Sequence, residues 1–162
     1  MSDGELDKVS ALRPHQLGLK EAFDRLRDPV VVAEAGAAEI VYSNSAAEAL
    51  FGYQAGELLG KSIEILMPGR MRELHRHGLA RFNRTGHGGY VESHAPIELP
   101  ALHSDGQELA IELTLSAMGE VPIPGRYVVA ILRDITARTK REEDLRQSHT
   151  RLQAELQRRD TT

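Results

Sequence analysis

The sequence predicts an α+β domain in which a five-stranded antiparallel sheet carries short helices and one longer helix on one face. Three observations favour this fold class. Two β-rich segments are followed by several short helical segments and one longer one, and three further β-rich segments come after them. The pair Asp105-Gly106, a strong hairpin signal, separates two of the later segments. A charged helical tail without proline or glycine follows the last strand.

The composition is that of a soluble globular domain with flanking elements, since 41% of the 162 residues are apolar and 27% are charged. No apolar run approaches the roughly 18–20 residues that span a bilayer, and the N-terminus lacks a secretory signal, so no membrane contact is expected. A net charge of -4 without a basic patch argues against nucleic-acid binding. The absence of cysteine excludes disulfides and thiolate sites and fits a cytoplasmic protein.

Four regions are expected along the chain. They are a flexible leader (1–14), an N-terminal capping helix (15–28), a central domain (29–137) and a C-terminal helix (138–162). The apolar residues of the capping helix have the spacing of one helix face: Leu19, Ala22, Phe23 and Leu26. This helix is expected to stop before Pro29, because proline disfavours helical conformation in the residue that precedes it.

The strands are predicted from runs of β-branched and apolar residues at 29–36, 39–44, 96–104, 107–116 and 126–136. In the fourth run the apolar residues Leu109, Ile111, Leu113 and Leu115 alternate with small or polar ones, so one face should be core. The fifth run is apolar throughout its centre, so both faces should be covered, one by helices and the other by the N-terminal helix or a partner chain. The proline-containing connection 118–125 is expected to protrude.

Local signals also place the helices. Asn44 is a good N-cap for a short helix that ends at Gly52, and Ser62 caps a shorter turn before Pro68. A longer helix is predicted from Gly69 to Asn83. The glycine-rich segment 86–96 is predicted to be a loop.

The longer helix contains two histidines that are two residues apart. At about 100° per residue, one stripe collects Met71, Leu74, His75, Gly78, Leu79 and Phe82. His75 should therefore point toward the core, whereas His77 shares the solvent face with Arg70 and Glu73. A metal site formed jointly by the two histidines is implausible, because residues i and i+2 diverge on a helix.

The C-terminal tail carries an apolar seam spaced four, three, four: Leu145, His149, Leu152 and Leu156. This is the a/d pattern of a coiled coil, although only two heptads are visible. A parallel homodimer helix is the favoured interpretation, and an amphipathic helix packed on its own domain is the alternative. The uncapped end also predicts a downstream module.

Three motifs in order resemble those of the PAS family. They are VYSNSAAEALFGYQAGELLGKSIEILMP (41–68), SDGQELAIELTLS (104–116) and VVAILRDITAR (128–138). The resemblance runs from about Phe23 to Arg138, and the tail resembles the signalling helix that commonly follows. It implies a sensory domain without catalytic activity, with Asn44, Asp134, Ile135 and Thr136 in signalling positions. Asp134 and Thr136 also suit the start of a helix as capping residues.

The resemblance implies a function as well as a fold. It implies a module that dimerises through its N- and C-terminal helices and passes a ligand, redox or gas signal to an output domain, such as a histidine kinase or a cyclic-dinucleotide enzyme. The flavin photosensors of the family use a cysteine, which the corresponding segment GKSIEILMP (60–68) lacks, so that photochemistry is excluded.

The haem-binding oxygen sensors of the family use a histidine in an Arg-x-x-His pattern, which Arg72 and His75 match, and Arg81 falls near their propionate-binding arginine. Two departures are Gly78 and Leu79 after the histidine, and Ile97 in place of a distal arginine. The implied pocket is lined by Met71, Leu79, Phe82, Ile97, Ile111 and Leu113. His75 then has three possible roles: haem ligand, hydrogen-bonded core histidine, or contact to another pocket ligand.

An enzymatic alternative rests on HGGY (87–90), which is similar to the His-Gly-Gly of some hot-dog thioesterases. In those enzymes the motif opens the central helix, whereas here it follows the long helix. No Ser/His/Asp set, phosphate loop or pair of carboxylates supports catalysis.

Overall fold

The computed structural model describes residues 20–119 and 121–159. The elements, in chain order, are α1 (Lys20–Asp24), β1 (Val30–Glu34), β2 (Glu39–Ser43), α2 (Ser45–Phe51), a 3₁₀ helix (Ile63–Leu66), α3 (Gly69–Thr85), α4 (Gly89–Ser93), β3 (Ile97–Leu102), β4 (Glu108–Ala117), β5 (Tyr127–Asp134) and α5 (Thr136–Arg159). The strands form one antiparallel sheet in the order β2-β1-β5-β4-β3. The predicted α+β class is therefore confirmed.

The sheet register explains which side chains share a face. Leu113 lies opposite Ile97 on β3 and Leu132 on β5, so the three side chains form a row across the sheet. The same face carries the other alternating apolar residues of β4, as the sequence predicts. We call it the inner face, because α2 and the 3₁₀ helix pack against it through Phe51 and Leu66.

The outer face of the sheet is covered in part by the chain's own segments. Phe23 of α1 packs against the valines and tyrosines of this face, and the connection between β4 and β5 contributes Met118, Val121 and Ile123. The prediction that this connection protrudes is therefore wrong for these three residues, because their apolar side chains cover part of the sheet. Ile131 remains 41% exposed on β5. Coverage of the outer face is therefore partial.

The predicted helix caps are confirmed. Asn44 Oδ1 accepts a hydrogen bond from the backbone N–H of Ala47, and Gly52 ends α2 in the left-handed conformation, with a φ of 76°. Ser62 Oγ accepts a bond from the N–H of Glu64 at the start of the 3₁₀ helix. The longer helix continues to Thr85, where Gly86 caps it with a φ of 75°.

Two helix predictions need correction. α1 ends at Asp24, four residues before the predicted end, and Leu26 is 42% exposed instead of lying on a buried helix face. The leader and residues 15–19 lie outside the described part of the chain. The predicted loop 86–96 contains α4, because Val91 is buried against Phe82 and gives the short helix an anchor.

α5 is a single helix of 24 residues, which confirms the helical tail and starts it two residues earlier than predicted. None of these residues, all of which lie in the described part of the chain, is buried. Within residues 20–119 and 121–159, no helix is both long and apolar enough to cross a bilayer.

Candidate functional site

α3 presents a narrower core-facing stripe than the sequence predicts. Met71, His75 and Leu79 are partly buried, and Phe82 is buried with 4% exposure. Leu74, predicted on this stripe, is 78% exposed, because it lies a full residue step of 100° from His75 and points to solvent. Gly78 is also exposed. His77 is exposed as predicted, so the two histidines do point in different directions.

The imidazole of His75 has a buried nitrogen and a lowered pKa. Its Nδ1 atom is buried and has no hydrogen-bond partner among the described residues. Burial lowers the pKa of His75, and the carboxylate of Glu64 opposes this shift only in part. The ring is therefore neutral near pH 7, which is the form that binds a metal or accepts a hydrogen bond. The Nδ1 atom thus gives no support to the interpretation of His75 as a hydrogen-bonded core histidine.

The other predicted pocket residues lie on the same side of the sheet but in two clusters. Ile97, Ile111 and Leu113 belong to the main inner-face core. Leu79 and Phe82 pack instead around Val91 and Val128. Leu115 contacts both clusters and so joins them. Ile97 is only partly buried although it faces inward.

Arg81, which the resemblance places near a propionate-binding arginine, lies on α3 with its side chain in solvent. An open cleft of about 750 Å³ begins near it, at the C-terminal end of α3. Phe82, Asn83 and Arg126 are among the lining residues of this cleft, whereas His75 is not. The cleft and the His75 side of α3 are therefore separate features.

Two arginine–carboxylate pairs fasten α3 to the rest of the domain. Both terminal nitrogens of Arg70 donate to the carboxylate of Glu108 on β4. Arg76 donates through Nε and Nη2 to Glu64 on the 3₁₀ helix, over 2.5 and 2.8 Å. Each arginine lowers the pKa of its partner carboxyl. Neither pair is predicted from the sequence, because 38 and 12 residues separate the partners and no local pattern joins them.

Asn44, predicted in a signalling position, is the one buried polar residue among those described, at 1% exposure. Its Oδ1 accepts hydrogen bonds from the N–H groups of Val30 and Ala47. Its Nδ2 donates to the carbonyl groups of Phe23 and Asp28. A single side chain therefore connects the N-terminal segment, the start of β1 and the start of α2.

The segment predicted for signal output joins β5 to α5. Ile135 is buried at 5% exposure, and its N–H donates to the carbonyl of Ala110. Thr136 Oγ1 accepts from the N–H of Ala110 over 3.0 Å and lies 3.4 Å from its carbonyl oxygen. Asp134 Oδ1 accepts from the N–H of Thr136, as expected of a residue at a helix N-terminus. The start of α5 is thus fastened to β4.

The residues of the predicted coiled-coil seam are exposed. Leu145, Leu152 and Leu156 are 71%, 56% and 61% exposed, and His149 is exposed beside them. The alternative in which this face packs on its own domain is therefore not what the described residues show. No group of three histidine, aspartate or glutamate side chains converges as a metal site anywhere in the described ranges.

The motif HGGY lies at the surface of the domain and not in an enclosed site. His87 is exposed, and its Nδ1 lies 2.5 Å from the carboxylate of Glu92 on α4. Tyr90 is 63% exposed. Since the motif opens a five-residue surface helix instead of a central one, the comparison with hot-dog thioesterases loses its structural basis.

Comparison with known proteins identifies the architecture. A family model described as PAS fold matches residues 19–135. Among solved structures, the PAS domain of a protein from Colwellia psychrerythraea has a TM-score of 0.59 at 22% identity, over 74% of this chain and 96% of that one. At this identity the likeness concerns the fold.

Two curated proteins are related in sequence. Oxygen sensor protein DosP of Escherichia coli (strain K12) is 33% identical over 110 residues, which are 67% of this chain and 13% of that protein. Sensor protein FixL of Bradyrhizobium diazoefficiens is 27% identical over 154 residues, which are 95% of this chain and 29% of that protein. The chain therefore spans less than a third of the length of either relative.

Proposed function

This chain belongs to the PAS family, and we propose that it is a sensory module that binds its signal between α3 and the inner face of the sheet and passes it to α5. One observation carries the proposal. Ile111 and Leu113 of β4 lie on the inner face of the sheet, while Ala110, the residue before Ile111 on the same strand, holds the start of α5.

The backbone N–H and carbonyl of Ala110 both form hydrogen bonds that couple β4 to the start of α5. Its N–H donates to Thr136 Oγ1, and its carbonyl accepts from the N–H of Ile135. Arg138, in the first turn of α5, also forms an ion pair with Glu98 on β3. A shift of β3 or β4 caused by a ligand on the inner face would therefore move the first turns of α5.

We further propose that α5 pairs with α5 of a second copy as a parallel coiled coil and continues the signal into an output domain. Its three exposed leucines at a/d spacing support this, because water-exposed leucines in a row are stabilised by burial. The N-terminal helix is proposed to contribute to the same dimer. A histidine kinase or a cyclic-dinucleotide enzyme is the output domain that this role suits.

The test uses the purified chain. Light scattering during size-exclusion chromatography should give a mass of twice the 17.9 kDa of one chain. Absorbance and native mass spectra of the same sample report any ligand bound in the pocket. A monomer at high protein concentration, with α5 intact, would contradict the dimeric sensor.

A second candidate function is gas sensing through haem bound at His75. The observation that favours it is the buried, unpartnered Nδ1 of a neutral imidazole on the core-facing side of α3. A relative named as an oxygen sensor, 33% identical over 110 residues, agrees with it. Bound haem would supply an iron centre able to bind a diatomic gas.

The residues of this chain fit such a group in several respects. His75 would bind the iron, and Arg81, whose side chain is exposed on α3, would pair with a propionate. Leu79, Ile97, Ile111 and Leu113, together with the partly buried Met71, would form the apolar surroundings. The side chain of Ile97 cannot donate a hydrogen bond, so it would offer a bound group only an apolar contact.

The histidine pair provides the experiment. Protein expressed with haem supply should show a Soret band that is lost in His75→Ala and kept in His77→Ala, whose imidazole is exposed two residues away. Circular dichroism confirms that both variants are folded. Absence of the band from the wild-type protein, or its survival in His75→Ala, would refute haem binding at this residue.

A further inference from the structure

The two halves of α3 are held by different forces. In the C-terminal half, Phe82 is buried and Leu79 packs beside it against β5 and α4. Gly86 caps this end in the left-handed conformation, and Arg126 Nε donates to the carbonyl of Asn83 over 3.0 Å. This half is therefore anchored by core packing and by a satisfied helix end.

The N-terminal half lacks these supports. Pro68 at the N-cap position forms no side-chain cap bond, and the first turn contains no acidic residue. Arg70 and Arg72 lie there instead, where the positive end of the helix dipole disfavours cations. Of the 17 residues of α3, all of them described, Phe82 is the one that is fully buried. The first half of α3 is thus weakly stabilised by its own sequence.

Gly78 separates the halves. Nothing lies within 4 Å of the position its Cβ would occupy, so no packing requirement explains a glycine there. Glycine inside a helix lowers helix stability and permits backbone motion. The weak half and the anchored half therefore meet at a glycine in the interior of α3.

Beyond the partial burial of Met71 and His75, two ion pairs that flank His75 hold the N-terminal half in place. Arg70 reaches Glu108 on β4, five residues before the histidine, and Arg76 reaches Glu64 immediately after it. The side chains of both arginines are about 60% exposed, at 60% and 61%. The carboxylate side chain of Glu108 is 45% exposed and that of Glu64 is 15% exposed, so salt in the solvent screens the Arg70–Glu108 pair more strongly than the Arg76–Glu64 pair.

We propose that residues 69–77 form a hinged flap over the inner face of the sheet, closed by the Arg70–Glu108 and Arg76–Glu64 ion pairs and hinged at Gly78. Opening of the flap moves His75 away from the sheet and gives a ligand access to Ile111 and Leu113. Glu108 and Glu64 act as positioning residues for the candidate site. The ligand rests on the proposed function, whereas the flap itself does not.

Hydrogen–deuterium exchange of the ligand-free protein, measured by mass spectrometry, tests the flap directly. Peptides from 69–77 should exchange faster than peptides from 79–85, and raising the salt concentration should widen the difference. Each of Glu108→Gln and Glu64→Gln should accelerate exchange of 69–77 by about two- to five-fold, the range that one exposed ion pair supports. Exchange of 79–85 should stay unchanged in both variants.

Glu98→Gln is the matched control. It removes the ion pair with Arg138, whose exposure is similar, but it does not touch α3. Exchange of 69–77 should be the same in this variant as in the wild-type protein. Uniform exchange along α3, or equal acceleration by Glu98→Gln, would overturn the flap.

The two proposals fail separately. A protein that binds no haem or other ligand, yet shows the two-part exchange of α3, refutes only the binding function. A protein that binds a ligand at His75 while α3 exchanges uniformly refutes only the flap. In a protein with both properties, ligand uptake should be several-fold faster in Glu108→Gln than in Glu98→Gln.

Discussion

The side-chain oxygen of Asn44 accepts a hydrogen bond from the backbone N–H of Val30 over 2.9 Å, although 14 residues separate them. Both residues are fully buried, with 1% and 0% exposure. A buried N–H without a partner costs free energy, so this bond fixes where β1 begins relative to α2. The side chain that caps α2 therefore also holds the first residue of β1.

Replacement of Asn44 by alanine should therefore destabilise the domain by about 2–4 kcal/mol, because the cap of α2 is lost and the N–H of Val30 is left unpaired. Urea denaturation monitored by circular dichroism gives this free energy of unfolding. Asn44→Asp keeps both acceptor bonds and removes the two donor bonds to Phe23 and Asp28. Equal losses in the two variants would show that the acceptor bonds contribute little.

The coupling of β4 to α5 is tested by Thr136→Val, which keeps the shape of the side chain and removes Oγ1. The N–H of Ala110 loses its partner, so unfolding should become easier by about 1–2 kcal/mol. Amide exchange in the first turn of α5 should also accelerate. Thr139→Val, one turn along and exposed, serves as the control and should leave both measurements unchanged.

The lowered pKa of His75 predicts the direction of a pH effect on stability. Because burial depresses the pKa in the folded state, the unfolded chain binds the proton more readily. Stability of the ligand-free protein is then complete above the ordinary histidine pKa of about 6.5 and falls as the pH drops below it. Thermal melts of His75→Gln should show less of this fall than melts of the wild-type protein.

His77→Gln is the matched comparison for this effect, since its imidazole is exposed. Its melting temperature should follow the wild-type curve between pH 7.5 and 5, a range of roughly one unit above to somewhat more than one unit below the ordinary pKa. If His75→Gln and His77→Gln have the same pH dependence, the burial of His75 does not govern it.

Gly52 and Gly56 form a pair that separates backbone strain from steric conflict. Both have a φ of 76°, so alanine at either position costs about 1–2 kcal/mol for the left-handed conformation. A Cβ on Gly52 would lie 2.3 Å from His103 Nε2, whereas one on Gly56 meets nothing within 4 Å. Gly52→Ala should therefore lose about 1 kcal/mol more than Gly56→Ala in urea denaturation.

The proposed pairing of α5 can be tested by single cysteines, because the native chain has none. Leu152→Cys lies on the seam, where parallel helices bring equivalent Cα atoms within the roughly 7 Å that a disulfide allows. Mild oxidation should crosslink this variant efficiently. Arg151→Cys, one residue off the seam, should crosslink poorly, and similar yields from the two variants would contradict the coiled coil.

Much of the fold follows from signals that are local in the sequence. Alternating apolar residues in β4, the cap at Asn44 and the glycine at 52 each act over a few residues, so their outcome does not depend on distant partners. The Asp105-Gly106 turn likewise sets the register of β3 against β4. These are the elements where prediction and structure agree.

Prediction and structure differ where contacts between residues distant in the sequence determine the local conformation. α4 forms because Val91 packs against Phe82 and Ala35, which lie in other segments of the chain, so no short window of sequence reveals the contact. Leu74 satisfies helical periodicity yet faces solvent, because periodicity marks a stripe but not its width. Of the candidate site, the direction of His75 was predictable. The ion pairs around it join residues too distant in sequence to be paired in advance.

The length of α5 gives its attachment a mechanical meaning. A helix of 24 residues extends about 36 Å, so a tilt of about 5° at its first turn displaces its far end by about 3 Å. No residue of α5 is buried along this length, all of which is described, so the domain itself offers little resistance to such a swing. A small rotation at the hydrogen bonds between Ala110 and Thr136 therefore becomes a larger displacement at the far end of α5.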